Sequence, residues 1–347
     1  MQLYLDSFGA FLSVRNGMFS VRMRSSGVVR DFPARTVDAI LLTRGTGMTT
    51  DAALLAVEND IPVLLIDAQT HRPLAQLSSG RPATIAAVRK NQVLFARSAA
   101  GLSWAAEQIA EKVARQRQLL KHWVEYPAAP EDFSTDVAIA DRVLAAMQRE
   151  LSRPISNDDD LDAAIARLRG QEGTASRVYF QQIARLLDGA FAGFSADSAE
   201  DFVFEGRQKR PAYDPFNALL NYLYGMLYTA VHLALLKAGL DPYLGVLHAD
   251  RFGAAPTLVF DAIEPYRPWA DTVALRLVLN GLIGPEAFEQ RADPVEGLWL
   301  STAGKDVVIG QMLQYLEEST PFDGRQVRRK AQIDLEAQFL KKKIGME

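Results

Sequence analysis

A chain of 347 residues can bury a large core, and two domains is its natural organisation. Hydrophobic residues make up 48% and charged residues 23%, the balance of a soluble globular protein. A net charge of −4 argues against a uniformly basic coat but leaves room for a local basic groove, and the absence of cysteine excludes disulfides and thiolate zinc sites.

Met1 to Asp6 carries no basic segment followed by an apolar core, so no signal peptide is expected, and the missing cysteine fits a reducing cytoplasm. The first eighty residues read as mostly β. Ala10 to Val14 and Met18 to Arg22 flank Asn16-Gly17, the signal of a tight hairpin. Val37 to Leu42 and Ile61 to Ile66 read as strands, with a helix between them from Thr49 to Glu58, capped by Thr49 or Thr50. Arg44-Gly45-Thr46-Gly47 suggests a nucleotide fingerprint, but its third glycine would fall at Thr50; a tight turn is the better reading.

Ser78-Ser79-Gly80-Arg81-Pro82 breaks the pattern and marks a hinge. Beyond it the period becomes helical, over Ala83 to Ala99, Ser103 to Trp123 and Val137 to Leu151. Asn157-Asp158-Asp159-Asp160 places three acids at the start of the next helix, as a cap or as a cation site. Ala218 to Leu236 is long and apolar enough to span a bilayer. Its Asn221, His232 and three tyrosines favour a buried central helix, so no membrane partner is expected. The pattern is α+β: a small β-rich N-terminal domain over 1–80, then a larger all-α catalytic domain over 81–347.

Three residues, Glu172, His248 and Glu264, could build one metal site, against the ordinary structural roles of a surface-paired glutamate and a packed histidine. Glu172 is flanked by Gly170 and Gly173, which suggest close approach of another backbone or a ligand. His248 closes the apolar run from Leu244. Glu264 follows Asp261 by three positions, which puts both on one side of a helical turn, and Arg267 three residues on is an ordinary ion-pair partner for it. Two carboxylates and an imidazole form the ligand set of a Mg²⁺ or Mn²⁺ site, the usual apparatus for phosphodiester chemistry. Asp214 and Pro215 read as the cap and first position of the apolar helix. Asn217 and Asn221 share one face of it, where they serve an internal polar network or order a loop beside the site.

The runs Glu172-Gly173, Arg207 to Tyr222, Leu247-His248 and Asp261 to Pro268, in this order, resemble the Cas1 family of CRISPR adaptation integrases. The β-rich N-terminus and Ile109 to Gln116 resemble it as well. The resemblance implies a metal-dependent DNA endonuclease that inserts short duplexes into a repeat array by 3′-hydroxyl transesterification. It places the metal on Glu172, His248 and Glu264, with Asp261 as an accessory acid that orients His248 or serves a second ion. It implies double-stranded DNA as substrate, a homodimer formed by the N-terminal domain, and a small Cas2 partner bridging two dimers. Candidate phosphate contacts are Arg167, Arg169, Arg177, Arg207, Lys209, Arg210 and Arg251. Arg325, Arg328, Arg329, Lys330 and Lys341 to Lys343 extend the track or dock a partner. The rival from another class is a non-catalytic DNA-bridging scaffold whose carboxylates serve packing.

Overall fold

The computed structural model describes residues 1–24, 27–77, 86–127, 129–156, 158–194, 202–208, 211–248, 255–291 and 296–345. The hinge expected at 78–82 lies outside them, as do Lys209, Arg210 and Arg251.

The N-terminal part holds β1 (Gln2–Leu5), β2 (Phe11–Arg15), β3 (Met18–Arg22), β4 (Val29–Pro33), β5 (Ala39–Leu42), β6 (Gly47–Met48), α1 (Thr50–Glu58), β7 (Val63–Ile66) and β8 (Pro73–Leu77). Two four-stranded sheets form, in the orders β1-β5-β7-β8 and β4-β3-β2-β6. The expected hairpin is β2–β3: Asn16 and Gly17 adopt φ of 52° and 70°, the left-handed pair that matches strand twist. Thr49 caps α1 by accepting from the Ala52 amide at 3.1 Å. The segment after β5 is the tight turn, with Gly45 at φ 85°.

The first sheet has two apolar faces because its central strands are continuous hydrophobic runs. Leu3, Leu5, Ile40, Leu42 and Val63 face inward to the second sheet and α1. The alternate residues Ala39, Leu41, Leu64 and Ile66 face the other way and pack on Leu233.

Leu233 belongs to the long apolar helix of the second part. This part comprises α2 (Ala86–Ala96), α3 (Ala99–Val124), α4 (Phe133–Leu151), α5 (Leu161–Leu186), α6 (Pro215–Lys237), α7 (Thr257–Ala262), a 3₁₀ turn over Glu264–Tyr266, and α8 (Arg267–Leu279). Then follow β9 (Phe288–Arg291), β10 (Gly297–Leu300), α9 (Thr302–Glu317), β11 (Ser319–Phe322), β12 (Arg325–Arg328) and α10 (Arg329–Lys343). The ribbons β9–β10 and β11–β12 correct the expectation of an all-α domain over 81–347: they are short antiparallel additions to a mainly helical part, which hydrophobic period alone does not reveal. The acidic run before α5 acts as a cap, Asp160 accepting from the amides of Asp162 and Ala163.

Among the described residues α6 alone is long and apolar enough to cross a bilayer, and it is enclosed by protein on nearly every side. Asp214 caps it through the Asn217 amide at 2.8 Å, with Pro215 at the first position. The N-terminal sheet docks on α6 through the turn after β7. There Asp67 Oδ1 accepts from the amides of Gln69 and Thr70, and Thr229 on α6 donates to the His71 carbonyl. Burial pushes the His71 imidazole down to about 4, so it packs neutral between Tyr4 and Tyr222. Gly225 permits this docking: a Cβ there would sit 1.7 Å from the Thr70 carbonyl oxygen. Gly225→Ala should therefore force the turn off α6 and cost about 1–3 kcal/mol, read by urea unfolding against wild type. An unchanged midpoint would show that the turn yields freely.

Candidate functional site

Glu172 lies on α5 in register with Leu168, Ala175 and Tyr179, all buried, so the helical period turns its carboxylate inward. Lys112 lies on α3 in the same way, on the stripe of Ile109, Val113 and Gln116. Glu264 opens the 3₁₀ turn between α7 and α8, where Pro265 is tolerated because the first turn leaves its N–H position unneeded. These three elements meet at one point. Lys112 Nζ donates to Glu172 Oε1 at 2.6 Å and to Glu264 Oε2 at 2.5 Å. The other Glu264 oxygen accepts from Arg267 Nε at 2.7 Å, the ion pair that the i, i+3 spacing anticipates.

The Lys112 and Glu264 side chains are each 4% exposed, Glu172 is 23% exposed and His248 is 38% exposed. Burial works against both charges of the inner pair. The opposite charges outweigh it: Glu264 and Glu172 hold Lys112 above the ordinary lysine value, and Arg267 and Lys112 hold Glu264 below the usual carboxylate range.

His248 is placed by Asp261. Its Nδ1 lies 2.6 Å from Asp261 Oδ1, and the amides of Val246, Leu247 and His248 donate to the same carboxylate. With Nδ1–H on the acid, Nε2 keeps its lone pair, the arrangement that prepares a histidine to ligate a metal. Asp261 is thus a positioning residue, one helical turn before Glu264. Among the described residues no three His, Asp or Glu side chains are grouped tightly enough to hold an ion as they stand. The structure brings Glu172 and Glu264 together at an ammonium and sets the imidazole on the residue three positions before Glu264. The donor chemistry suits a hard divalent cation. Gly170 and Gly173, expected to admit another backbone or a ligand, meet no neighbouring segment of the described residues within 4 Å of an added Cβ, which leaves that space open.

Behind Arg267 lies a polar network, of which sequence reading anticipated only the part at Asn217 and Asn221. Arg267 and Arg207 stack on Tyr224, with guanidinium carbons 4.9 and 5.2 Å from its ring centre. Tyr224 and Tyr179 both donate to the buried Asp271, at 2.6 and 2.9 Å. Asn217 and Asn221 accept from Arg207 at 2.8 and 2.7 Å, and Asn217 also bonds the backbone of Gly206 and Gln208. Both roles read for these amides are filled, since the polar network is also what orders the loop.

Arg167 and Arg169 donate to the carbonyls of Glu150 and Leu247, and Arg177 is exposed. Among the described residues Arg167, Arg169, Arg177 and Arg207 have no carboxylate partner. The tail cations differ: Arg325, Arg328, Arg329, Lys330 and Lys343 pair with Asp323, Glu317, Glu318, Asp38 and Glu107.

Burial raises the Asp271 pKa to about 6 from 3.8. The folded state thus holds this proton more tightly than the unfolded chain, and its stability falls as pH rises from about 4 through 6. Asp271→Asn removes that dependence. Relative to wild type the variant should gain on the order of 3 kcal/mol across this window in urea titrations. A constant difference at every pH would place the titration elsewhere.

A family model described as CRISPR associated protein Cas1 matches residues 3–314. The CRISPR-associated endonuclease Cas1 1 of Thermus thermophilus is 31% identical over 321 residues, covering 92% of this chain and 86% of the relative. The endonuclease Cas1 1 of Archaeoglobus fulgidus is 29% identical, covering 97% and 94%. Solved structures share the fold. A Cas1 protein from Thermotoga maritima superposes with a TM-score of 0.72 at 20% identity, covering 100% of this chain and 98% of that one. A casposase bound to integration product gives 0.73 at 19%, covering 99% and 90%. A family model matching most of the chain, together with a relative 31% identical over most of both lengths, shows that this chain belongs to the Cas1 family.

Proposed function

We propose that this chain is a metal-dependent DNA integrase that joins short duplexes to a CRISPR repeat by transesterification. The observation that carries the reading is the meeting of Glu172 and Glu264 on one buried cation, with His248 tethered to Asp261, three positions before Glu264. Glu172, Glu264 and His248 Nε2 would hold Mg²⁺ or Mn²⁺. When bound, the ion supplies Lewis-acid activation of the scissile phosphate and stabilises the leaving oxygen. Asp261 fixes the imidazole tautomer, and Arg267 steadies Glu264 from the side away from Lys112. A duplex 3′-hydroxyl attacks phosphorus, the P–O3′ bond of the target strand breaks, and that strand leaves with a free 3′-hydroxyl. With water as nucleophile the same site would nick DNA.

DNA would lie along Arg167, Arg169, Arg177 and Arg207, which form no ion pair with a carboxylate among the described residues. Arg169 ties α5 to the carbonyl before His248, so phosphate binding and imidazole placement share one strut. Assembly belongs to the same proposal: a homodimer through the β-rich N-terminal domain, and a Cas2 partner bridging two dimers. In a solved Cas6-RT-Cas1–Cas2 complex this fold makes up 35% of one chain, covering 99% of this one with a TM-score of 0.74 at 23% identity. Leu65, Leu74 and Leu77 on β7 and the edge strand β8 are exposed apolar side chains available to such contacts.

One observation favours the DNA-bridging scaffold instead: Lys112 and Arg267 already satisfy the acid pair, as a structural ion network would. One assay separates the two. In Mg²⁺ or Mn²⁺, Glu172→Gln, His248→Ala and Glu264→Gln should each lower strand transfer into a supercoiled repeat plasmid by about 100-fold or more, with circular dichroism unchanged, and Asp261→Asn by about 10- to 100-fold. Full transfer by all of them would leave the scaffold standing. For DNA binding, Arg177→Gln should lower the slope of log affinity against log salt by about 0.9. An unchanged slope would remove Arg177 from the phosphate track.

A further inference from the structure

The reaction proposed above leaves Lys112 without a task, although it is the most deeply buried lysine described and sits between both acids. Among the described residues its only hydrogen-bond partners are Glu172 Oε1 and Glu264 Oε2. Arg267, by contrast, is anchored twice, by Glu264 Oε1 and by the face of Tyr224. Both Glu264 oxygens therefore already accept from a cation. A divalent ion bonds carboxylate oxygens at about 2.0–2.2 Å, and an ammonium 2.5–2.6 Å from one oxygen of each acid lies in the space such an ion needs. Two cations cannot share it, since like charges a few ångströms apart in a buried site repel strongly.

Charge counting leads to the same conclusion. Two carboxylates, one ammonium and one guanidinium sum to zero, so the metal-free cluster can be buried. A dication added on top would leave a buried excess of two positive charges. If the lysine stem swings its ammonium away, less of that excess stays behind, and a flexible four-carbon stem makes this the cheaper movement.

We propose that Lys112 is the resident counter-ion of the acid pair: its ammonium holds Glu172 and Glu264 together in the metal-free protein, and a divalent ion binds only by displacing it. Lys112 thus keeps the site folded and weakens its hold on metal. The inference rests on the metal reading of Glu172 and Glu264, and the test separates the two.

The experiment measures Mn²⁺ binding to the full chain by electron paramagnetic resonance, and thermal unfolding in EDTA and in Mn²⁺. Lys112→Met keeps the stem and removes the charge. It should unfold at a lower temperature in EDTA, recover in Mn²⁺, and bind Mn²⁺ at least about tenfold more tightly than wild type. Binding by Lys112→Met alone would support the proposal equally. Wild-type binding with equal or weaker binding by the variant would overturn the proposal and leave the metal reading intact. No binding by either would remove both. Should Lys112→Met fail to fold, wild type labelled with ¹⁵N at its lysine Nζ decides. The Lys112 ammonium, protected from exchange in EDTA, should lose its signal as Mg²⁺ is added. A signal unchanged at a concentration that has fully shifted the melting temperature overturns the proposal, as does one that is absent in EDTA.

Discussion

A carboxylate can be withdrawn from water only where opposite charge replaces the solvent, and Glu264 shows what that demands of the fold. Its side chain is 4% exposed because Lys112 reaches it from α3 and Arg267 from the first turn of α8. Glu172, on α5, completes the set. Three helices and a 3₁₀ turn must therefore hold their register for the charges to cancel, and this requirement places the candidate site inside the helical core. The same requirement propagates outward. Arg267 rests on Tyr224, Tyr224 on Asp271, and Asp271 on Tyr179, whose helix carries Glu172. The circuit closes on itself through α3, α5, α6 and α8.

The N-terminal sheets are joined to this circuit by α6. One face of that helix presents Tyr224 to the arginines, and another presents Gly225, Thr229 and Leu233 to the turn after β7 and to the outer face of the first sheet. Its uniform apolar character follows from being packed on all sides, the same pattern that composition alone cannot distinguish from a membrane span. The described residues thus include two cores, one between the sheets and one among the helices, with a small shared cluster where the sheet meets α6.

Much of this was legible in the chain, because the signals are local. Asn16-Gly17 demands a left-handed turn, Thr49, Asp160 and Asp214 are helix caps by their chemistry, and the periods of α3 and α5 show which side chains point inward. Lys112 carried a readable sign too, since a lysine on the stripe of Ile109, Val113 and Gln116 has to find a counter-charge when buried. The partners of that charge were not legible, because they lie 60 and 152 positions away. Gly170 and Gly173 illustrate a related point: a glycine opens space, and what fills the space is decided by the rest of the fold and by what binds to it.

The chain by itself therefore determined the β-rich start, the principal helices, the α+β order and the identity of the acid and imidazole candidates, since caps, turns and periodicity act over a few residues. Only the tertiary structure decided that Asp261 serves His248, that Asn217 and Asn221 hold Arg207, and that the acid pair meets on an internal cation. Those pairings join distant segments, and electrostatic compensation depends on distance in space, which no local pattern records.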